Sequence, residues 1–241
     1  LMEFKEGVKR LRSVRKFDPD KKLDTKTVKD CIELATLAPN SSNMQLWEFY
    51  HVTSDEKRKQ LSRYCFDQNA AKTAQQMVVL VTRKDKWRER VRWHVDLMER
   101  KFGKKRMEDY SRRERFAFTY YKKIVPVTYA DFLGIFGWIK YISYWVIGLF
   151  RPIYRQARHS DMRVVVHKTL ALAAQTFMLA MTDAGYDTCP MEGFDEHRVS
   201  KLLKLPGDAF PVMVVSAGKR ADNGVYGPQI RFQRNWFVKE V

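Results

Sequence analysis

At 241 residues, with 45% apolar and 13% aromatic content, the chain is long enough to bury a substantial core. No Pro/Gly/Ser linker, low-complexity tract or internal repeat divides it, which argues against a repeat array and for one domain over residues 1–241. A net charge of +17 favours anionic ligands or surfaces, but no helix-turn-helix, RNP or zinc-finger pattern accompanies it, so nucleic acid is not expected as a partner.

The charge is unevenly placed: Arg83 to Arg115 holds 14 Lys/Arg against 7 Asp/Glu, and Lys140 to Lys168 holds 6 against 1. Such stretches read as solvated faces or as fields that steer anionic cofactors. Three cysteines (Cys31, Cys65, Cys189) without CxxC spacing argue against a disulfide framework or zinc site and for a reducing compartment. Met2-Glu3-Phe4-Lys5 has no apolar h-region, so a cytoplasmic location is expected. His51, His94, His159, His167 and His197 show no ligand spacing, and no metal is expected.

In chain order, Phe4 to Leu11 reads as a short helix. It runs into Arg12-Ser13-Val14-Arg15-Lys16-Phe17-Asp18-Pro19, where proline forces its predecessor into an extended or turn conformation. If the chain bends there, Arg12, Ser13 and Arg15 can converge on one anion, two guanidinium forks and a hydroxyl suiting a terminal phosphate. Asp24 can cap a helix whose apolar positions Val28, Cys31, Ile32 and Ala35 follow helical spacing. Asn40-Ser41-Ser42-Asn43 then reads as a loop, since such side chains favour local backbone bonding. It is either an ordinary turn or a polar shelf for the edge of a heterocycle. Strand-like Glu48 to Thr53, helical Glu56 to Tyr64 and a strand over Met77 to Thr82 follow.

Trp87, Val91, Val95, Met98 and Phe102 lie at the spacing of one face of a long helix. Phe132 to Phe150 is 19 residues with a single charge, Lys140. As a helix it would extend about 28 Å, close to a bilayer core. Three readings stay open for this segment: an apolar lid or dimer-wrapping insertion, a membrane-surface contact helped by Arg151, Arg155 and Arg158, or a span. A span meets the cost of Lys140 at the helix centre, about 2.5–3.5 kcal/mol. Val164 to Gly185 is apolar nearly all round and reads as a helix buried at a core or subunit interface. Cys189-Pro190-Met191-Glu192-Gly193-Phe194 reads as a corner between that helix and the next, Glu196 to Leu203, capped by Asp195. Such a turn can hold backbone N–H groups at a flat ligand, with glycine admitting positive φ or close approach. Phe210 to Ala217 is a buried strand, and Trp236-Phe237-Val238 follows a basic tail.

Arg-Ser-Val-Arg-Lys-Phe at 12–17, Ala-Pro-Asn-Ser-Ser-Asn-Met-Gln-Leu-Trp at 38–47 and Pro-Met-Glu-Gly-Phe at 190–194 occur in the order and spacing of the FMN-dependent nitroreductase family. The terminal strand and the tail Gly227-Pro228-Gln229-Ile230-Arg231 also resemble that family. The similarity covers residues 4–82 and 165–235, leaving about 110–163 as an apolar and basic insertion.

The resemblance implies an α+β fold, a central, mostly antiparallel sheet flanked by helices, in an intertwined homodimer with FMN at the subunit interface. By that resemblance Arg12, Ser13, Arg15 and Arg231 would hold phosphate and ribityl chain. Pro39, Asn40, Ser41 and Asn43 would reach across from the partner. Pro190, Met191, Glu192 and Gly193 would place backbone N–H groups near flavin N5 and O4, and Asn69 would contact the pyrimidine edge. The implied activity is ping-pong hydride transfer from NAD(P)H through flavin N5 to a nitroaromatic, quinone or similar flat acceptor, with no side chain as acid or base. Alternatives are a flavin-consuming or dehalogenating activity, or a basic peripheral-membrane or nucleic-acid-binding protein with a vestigial flavin site. Two positions depart from the pattern. Leu11 stands where many members are basic, and Gln229 stands where many have lysine; Lys219, Arg220 or Arg234 would have to compensate.

Overall fold

The computed structural model describes residues 3–130 and 135–241. The helices are α1 (Phe4–Arg10), α2 (Thr25–Ala35), α3 (Asp55–Tyr64), α4 (Asn69–Lys72), α5 (Trp87–Phe102), α6 (Arg112–Thr119), α7 (Val125–Tyr129), α8 (Ile135–Ile147), α9 (His159–Asp183) and α10 (Glu196–Leu203). The strands are β1 (Trp47–Val52), β2 (Gln76–Arg83), β3 (Asp187–Met191) and β4 (Ala209–Gly218). They form one antiparallel sheet in the order β1-β2-β4-β3.

β2 shows why the sheet sits centrally. Met77 to Thr82 are all buried, so the strand lacks the polar alternation of a half-solvated sheet. Its side chains alternate between two layers. Met77, Val79 and Val81 pack with Val14, Phe17, Leu61, Cys65 and Val199. Val78 and Leu80 pack with Val28, Leu170, Phe177 and Met181 on the opposite face. The expected strands are present with ends shifted by a residue or so, because ladder pairing rather than composition sets where a strand stops. Pro211 in β4 falls where the register slips between Leu80 and Val81, a bulge that tolerates the missing N–H.

β3 corrects the sequence reading. Asp187 to Met191 is a strand, not part of a helix–helix corner, and the turn begins only at Glu192. Proline survives at 190 because, among the described strands, β3 pairs with β4 only and forms the sheet edge, its other side bridged to the chain at a single point, Ser13 with Thr188. Gly193 does not adopt positive φ, and a Cβ there would meet nothing nearer than Gln68 Nε2 at 3.7 Å.

Asp24 caps α2, its Oδ1 accepting from Thr27 N at 2.8 Å. α9 is long and apolar enough to cross a membrane, but half of its apolar stretch is buried as the helix spanning the core. It is not enclosed all round: Val164 and Leu172 are about half exposed, at 52% and 50%.

The N-terminal part of α9 carries a third cluster, in which Met162, Val165 and Val166 meet Val91, Val125 and Tyr129. Between α6 and α7, Tyr120–Ile124 forms one π turn. Phe132, Leu133 and Gly134 of the apolar segment lie outside the described residues. The described helix, Ile135–Ile147, has 13 residues and ends at Gly148, whose carbonyl accepts from Arg155 at 2.7 Å. At about 20 Å it is shorter than a bilayer core of about 30 Å, so the described helix does not make a span.

Candidate functional site

The stretch after α1 is bent and stitched at nearly every residue. Val14 N donates to Thr188 O at 3.0 Å, Arg15 N to Gly224 O at 2.7 Å, and Asp18 N to Lys219 O at 2.8 Å. Phe17 N donates to Thr73 Oγ1 at 3.0 Å. Val14 and Phe17 turn fully into the core, which leaves Arg12, Ser13 and Arg15 on the other side of the bend. Gly224 makes the close approach feasible, because a Cβ there would stand 2.5 Å from Lys16 O.

The bend, β3 and the tail enclose an open cleft of about 880 Å³, to which Arg12, Ser13, Arg15, Pro190 and Arg231 all contribute. Val8, Leu11, Met178, Val225 and Ile230 supply apolar lining, and among the described residues no carboxylate lines the cleft. Arg12 also donates through Nη2 to Gly227 O, tying bend to tail. Cys189 lies next to this wall. Burial raises its thiol above the ordinary value of 9.0, and the charge of Arg15 pulls the other way.

The remaining expected residues fall into three places. Met191 is 2% exposed and belongs to the core, so only its backbone can face a ligand. Glu192 and Gly193 are exposed just beyond the strand, and neither of their N–H groups is engaged by another described residue. Gly193 O accepts from Gln68 Nε2 at 2.8 Å, while Asn69 Nδ2 donates to Tyr226 Oη at 3.0 Å. Asn69 therefore stands beside a cleft-lining tyrosine that sequence reasoning missed.

Pro39, Asn40, Ser41 and Asn43 do not line this cleft. They form a separate shelf in which Pro39, Ser41 and Asn43 are exposed. Asn40 organises it, its Oδ1 accepting from Gln45 N at 2.9 Å. Three residues here, Ser42, Asn43 and Gln45, hold left-handed backbone at φ 55°, 49° and 47°. The insertion grips them: Tyr121 Oη donates to Ser42 O at 2.9 Å, and Tyr120 Oη pairs with Ser42 Oγ at 2.6 Å. His94 Nε2 bonds Asn43 O at 2.8 Å. Behind the shelf lies a second cavity of about 410 Å³, lined by Ser41, Ser42, Tyr120, Tyr129, Lys140 and Tyr144 among others. Burial pushes the Tyr129 phenol to about 12. No motif announced this cavity, because a π turn aims its tyrosines.

Two cations offered as replacements for the missing basic positions are engaged elsewhere. Arg220 Nε donates to Asp187 Oδ1 at 2.9 Å, and Lys219 bonds Gly185 O. Arg234 sits in an exposed one-turn helix of the tail. Leu11, which stands where the resemblance puts a basic residue in many members, packs partly buried against the α2–α9 layer.

The model of the nitroreductase family matches residues 8–219, and the chain belongs to that family. Among curated proteins, DrgA of Synechocystis sp. is 26% identical over 222 residues, covering 92% of this chain and 86% of DrgA. YdgI of Bacillus subtilis, provisionally named an NAD(P)H nitroreductase, is 25% identical and covers 92% and 90%. Among solved structures, ydfN of Bacillus subtilis superposes with a TM-score of 0.72 at 20% identity, covering 99% of each chain. A nitroreductase-type protein from Exiguobacterium sibiricum, solved in complex with FMN, gives 0.68 at 22% identity and covers 100% of this chain and 98% of its own. These establish the fold, and the family makes the protein an oxidoreductase by class.

Proposed function

We propose that the chain is an FMN-dependent NAD(P)H oxidoreductase acting on a flat acceptor such as a quinone or nitroaromatic, as a cytoplasmic homodimer. One observation carries the reading: three arginines and a serine around a cleft with apolar lining and, among the described residues, no carboxylate. That donor set suits a ligand that is a dianion at one end and a flat ring at the other. When bound, FMN would supply the redox chemistry, taking hydride from NAD(P)H and passing it to the acceptor in a ping-pong cycle.

The chain's own residues then bind and orient. Arg12, Arg15 and Arg231 would hold the phosphate, and Ser13 the ribityl end. The N–H groups of Glu192 and Gly193 would donate at the ring edge, where developing charge is stabilised. The shelf Pro39–Asn43, partly exposed and outside the lining of its own cleft, fits a role in the cleft of a second subunit. The half-exposed Val164 and Leu172 on α9 support an interface there.

Purified protein is expected to be yellow, to release FMN on denaturation and to oxidise NAD(P)H with a quinone or nitroaromatic. Loss of one charge-assisted contact in Arg15→Ala should weaken FMN retention by about ten-fold or more. Lys16→Ala, exposed and outside the cleft, should leave it unchanged. Equal retention by both variants removes the phosphate assignment, and colourless protein that FMN cannot reconstitute sinks the reading.

A further inference from the structure

The helix α8 is amphipathic in the wrong sense for a helix whose outer face meets water. Its single charge, Lys140, turns toward the protein, where Nζ donates to Val127 O at 3.1 Å, Thr128 O at 3.1 Å and Ala130 O at 2.8 Å. Tyr144 lines the inner cavity beside it. Gly137 is buried where α8 rests on the backbone of Arg158, and a Cβ at 137 would stand 3.2 Å from Arg158 Cα. The outward face carries Trp138, Ile139, Ile142 and Trp145, and Leu149 follows in the turn after the helix, each between 52% and 62% exposed. Phe150, just beyond, is 85% exposed.

The surroundings of this apolar face are basic. Residues 110–163 hold ten Lys/Arg against three Asp/Glu. Arg151 and Arg155 follow the helix and are exposed, and the Arg158 guanidinium lies 4.9 Å from the Tyr141 ring. A contiguous exposed face with two tryptophans marks an interaction site rather than ordinary surface. Tryptophan is favoured at a lipid–water boundary, and arginines beside it favour anionic headgroups. Because Lys140 points inward, shallow insertion of the outer face does not carry that ammonium into hydrocarbon.

We infer that α8 is a docking face for an anionic phospholipid bilayer, with its outer side chains in the interface and Arg151 and Arg155 at the headgroups. This inference does not rest on the flavin reading, and its test uses no activity.

The test is co-sedimentation of the full chain with vesicles of 70:30 phosphatidylcholine:phosphatidylglycerol, and with pure phosphatidylcholine, at low and high salt. Binding to the anionic vesicles is expected to exceed binding to the neutral ones by about ten-fold or more and to fall with salt. Trp145→Ser combined with Leu149→Ser, both outward, should lower it by a further ten-fold or so. Tryptophan quenching by dibrominated lipid in the unaltered protein is expected and needs no variant to fold. Absence of sedimentation and quenching overturns the proposal. So does equal binding by the double variant, or a native mass that halves in it, which would assign the face to a second copy of the chain.

Discussion

The backbone amide of Arg15 donates to the carbonyl of Gly224 at 2.7 Å, at a point where position 224 has no room for a side chain. A Cβ would stand 2.5 Å from Lys16 O and 2.9 Å from Ala221 O. Gly224→Ala must therefore push the tail off the bend. It should destabilise the fold by about 1–3 kcal/mol, the usual range for overpacking. Flavin retention should fall as well, although residue 224 does not line the cleft. Thermal melts and flavin content of the variant check both; an unchanged melt would show that the tail is not clamped there.

Asp187 is 4% exposed and takes three contacts from Arg220, from the backbone N at 3.0 Å, from Nε at 2.9 Å and from Nη2. Arg220 Nη2 also donates to Arg10 O at 3.1 Å, so the pair anchors the end of α1. Asp187→Ala removes charge-assisted bonds and leaves a partly buried guanidinium. A loss of about 1.5–3 kcal/mol is expected, with Asp187→Asn between the two. Urea unfolding midpoints read it out.

Lys204 ends α10 in left-handed backbone, φ 54°, with Leu205 N donating to Ser200 O at 3.0 Å. Glycine takes this position without the Cβ penalty. Lys204→Gly should raise stability by about 0.5–1 kcal/mol and lift the melting temperature by a few degrees. A lower melting temperature would contradict the helix end described.

Burial lowers the pKa of His51 below its ordinary 6.5, partly opposed by the Gln76 hydrogen bond, and burial lowers His167 likewise. A depressed folded pKa means that the unfolded chain takes the proton first. The associated stability is complete above pH 6.5 and is lost as pH falls through the lowered folded values. Unfolding midpoints should decline between pH 7.5 and 5, before carboxylates titrate, and His51→Gln should flatten that decline. A flat profile in the parent protein would count against it.

Burial pushes the Cys31 thiol to about 11 and the Cys65 thiol to about 12. Both are free and buried, as is Cys189. A thiol reagent at pH 8 should find almost nothing to label in the native protein and all three cysteines after denaturation. Rapid native labelling would show that one of them is reachable.

What could be read ahead of the structure follows physical locality. β2 and β4 were visible because a run of β-branched residues needs no partner to announce a buried strand. The α2 cap was visible because Asp24 and Thr27 lie within one turn. Residues 187–191 misled because proline and glycine signal turns unless the strand lies at an edge, and edge position is a property of the whole sheet. The bend at 12–15 was legible as chemistry, yet its grip on Gly224 is a contact across two hundred residues. The apolarity of 135–147 was plain, but not its orientation, which depends on carbonyls at the end of α7 receiving Lys140.

The π turn at Tyr120–Ile124 carries one more residue than an α turn would, and this fixes the length of the chain there to the residue. Deleting one position within it would let the turn rewind as ordinary α-helix and withdraw Tyr120 or Tyr121 from its grip on Ser42. Val125 and Tyr129 would keep their phase and their cluster, so the loss would fall on the shelf rather than on the carbonyl trio holding Lys140. Homologues that vary freely in composition over this stretch are thus expected to conserve its spacing, or to replace the whole cap at once.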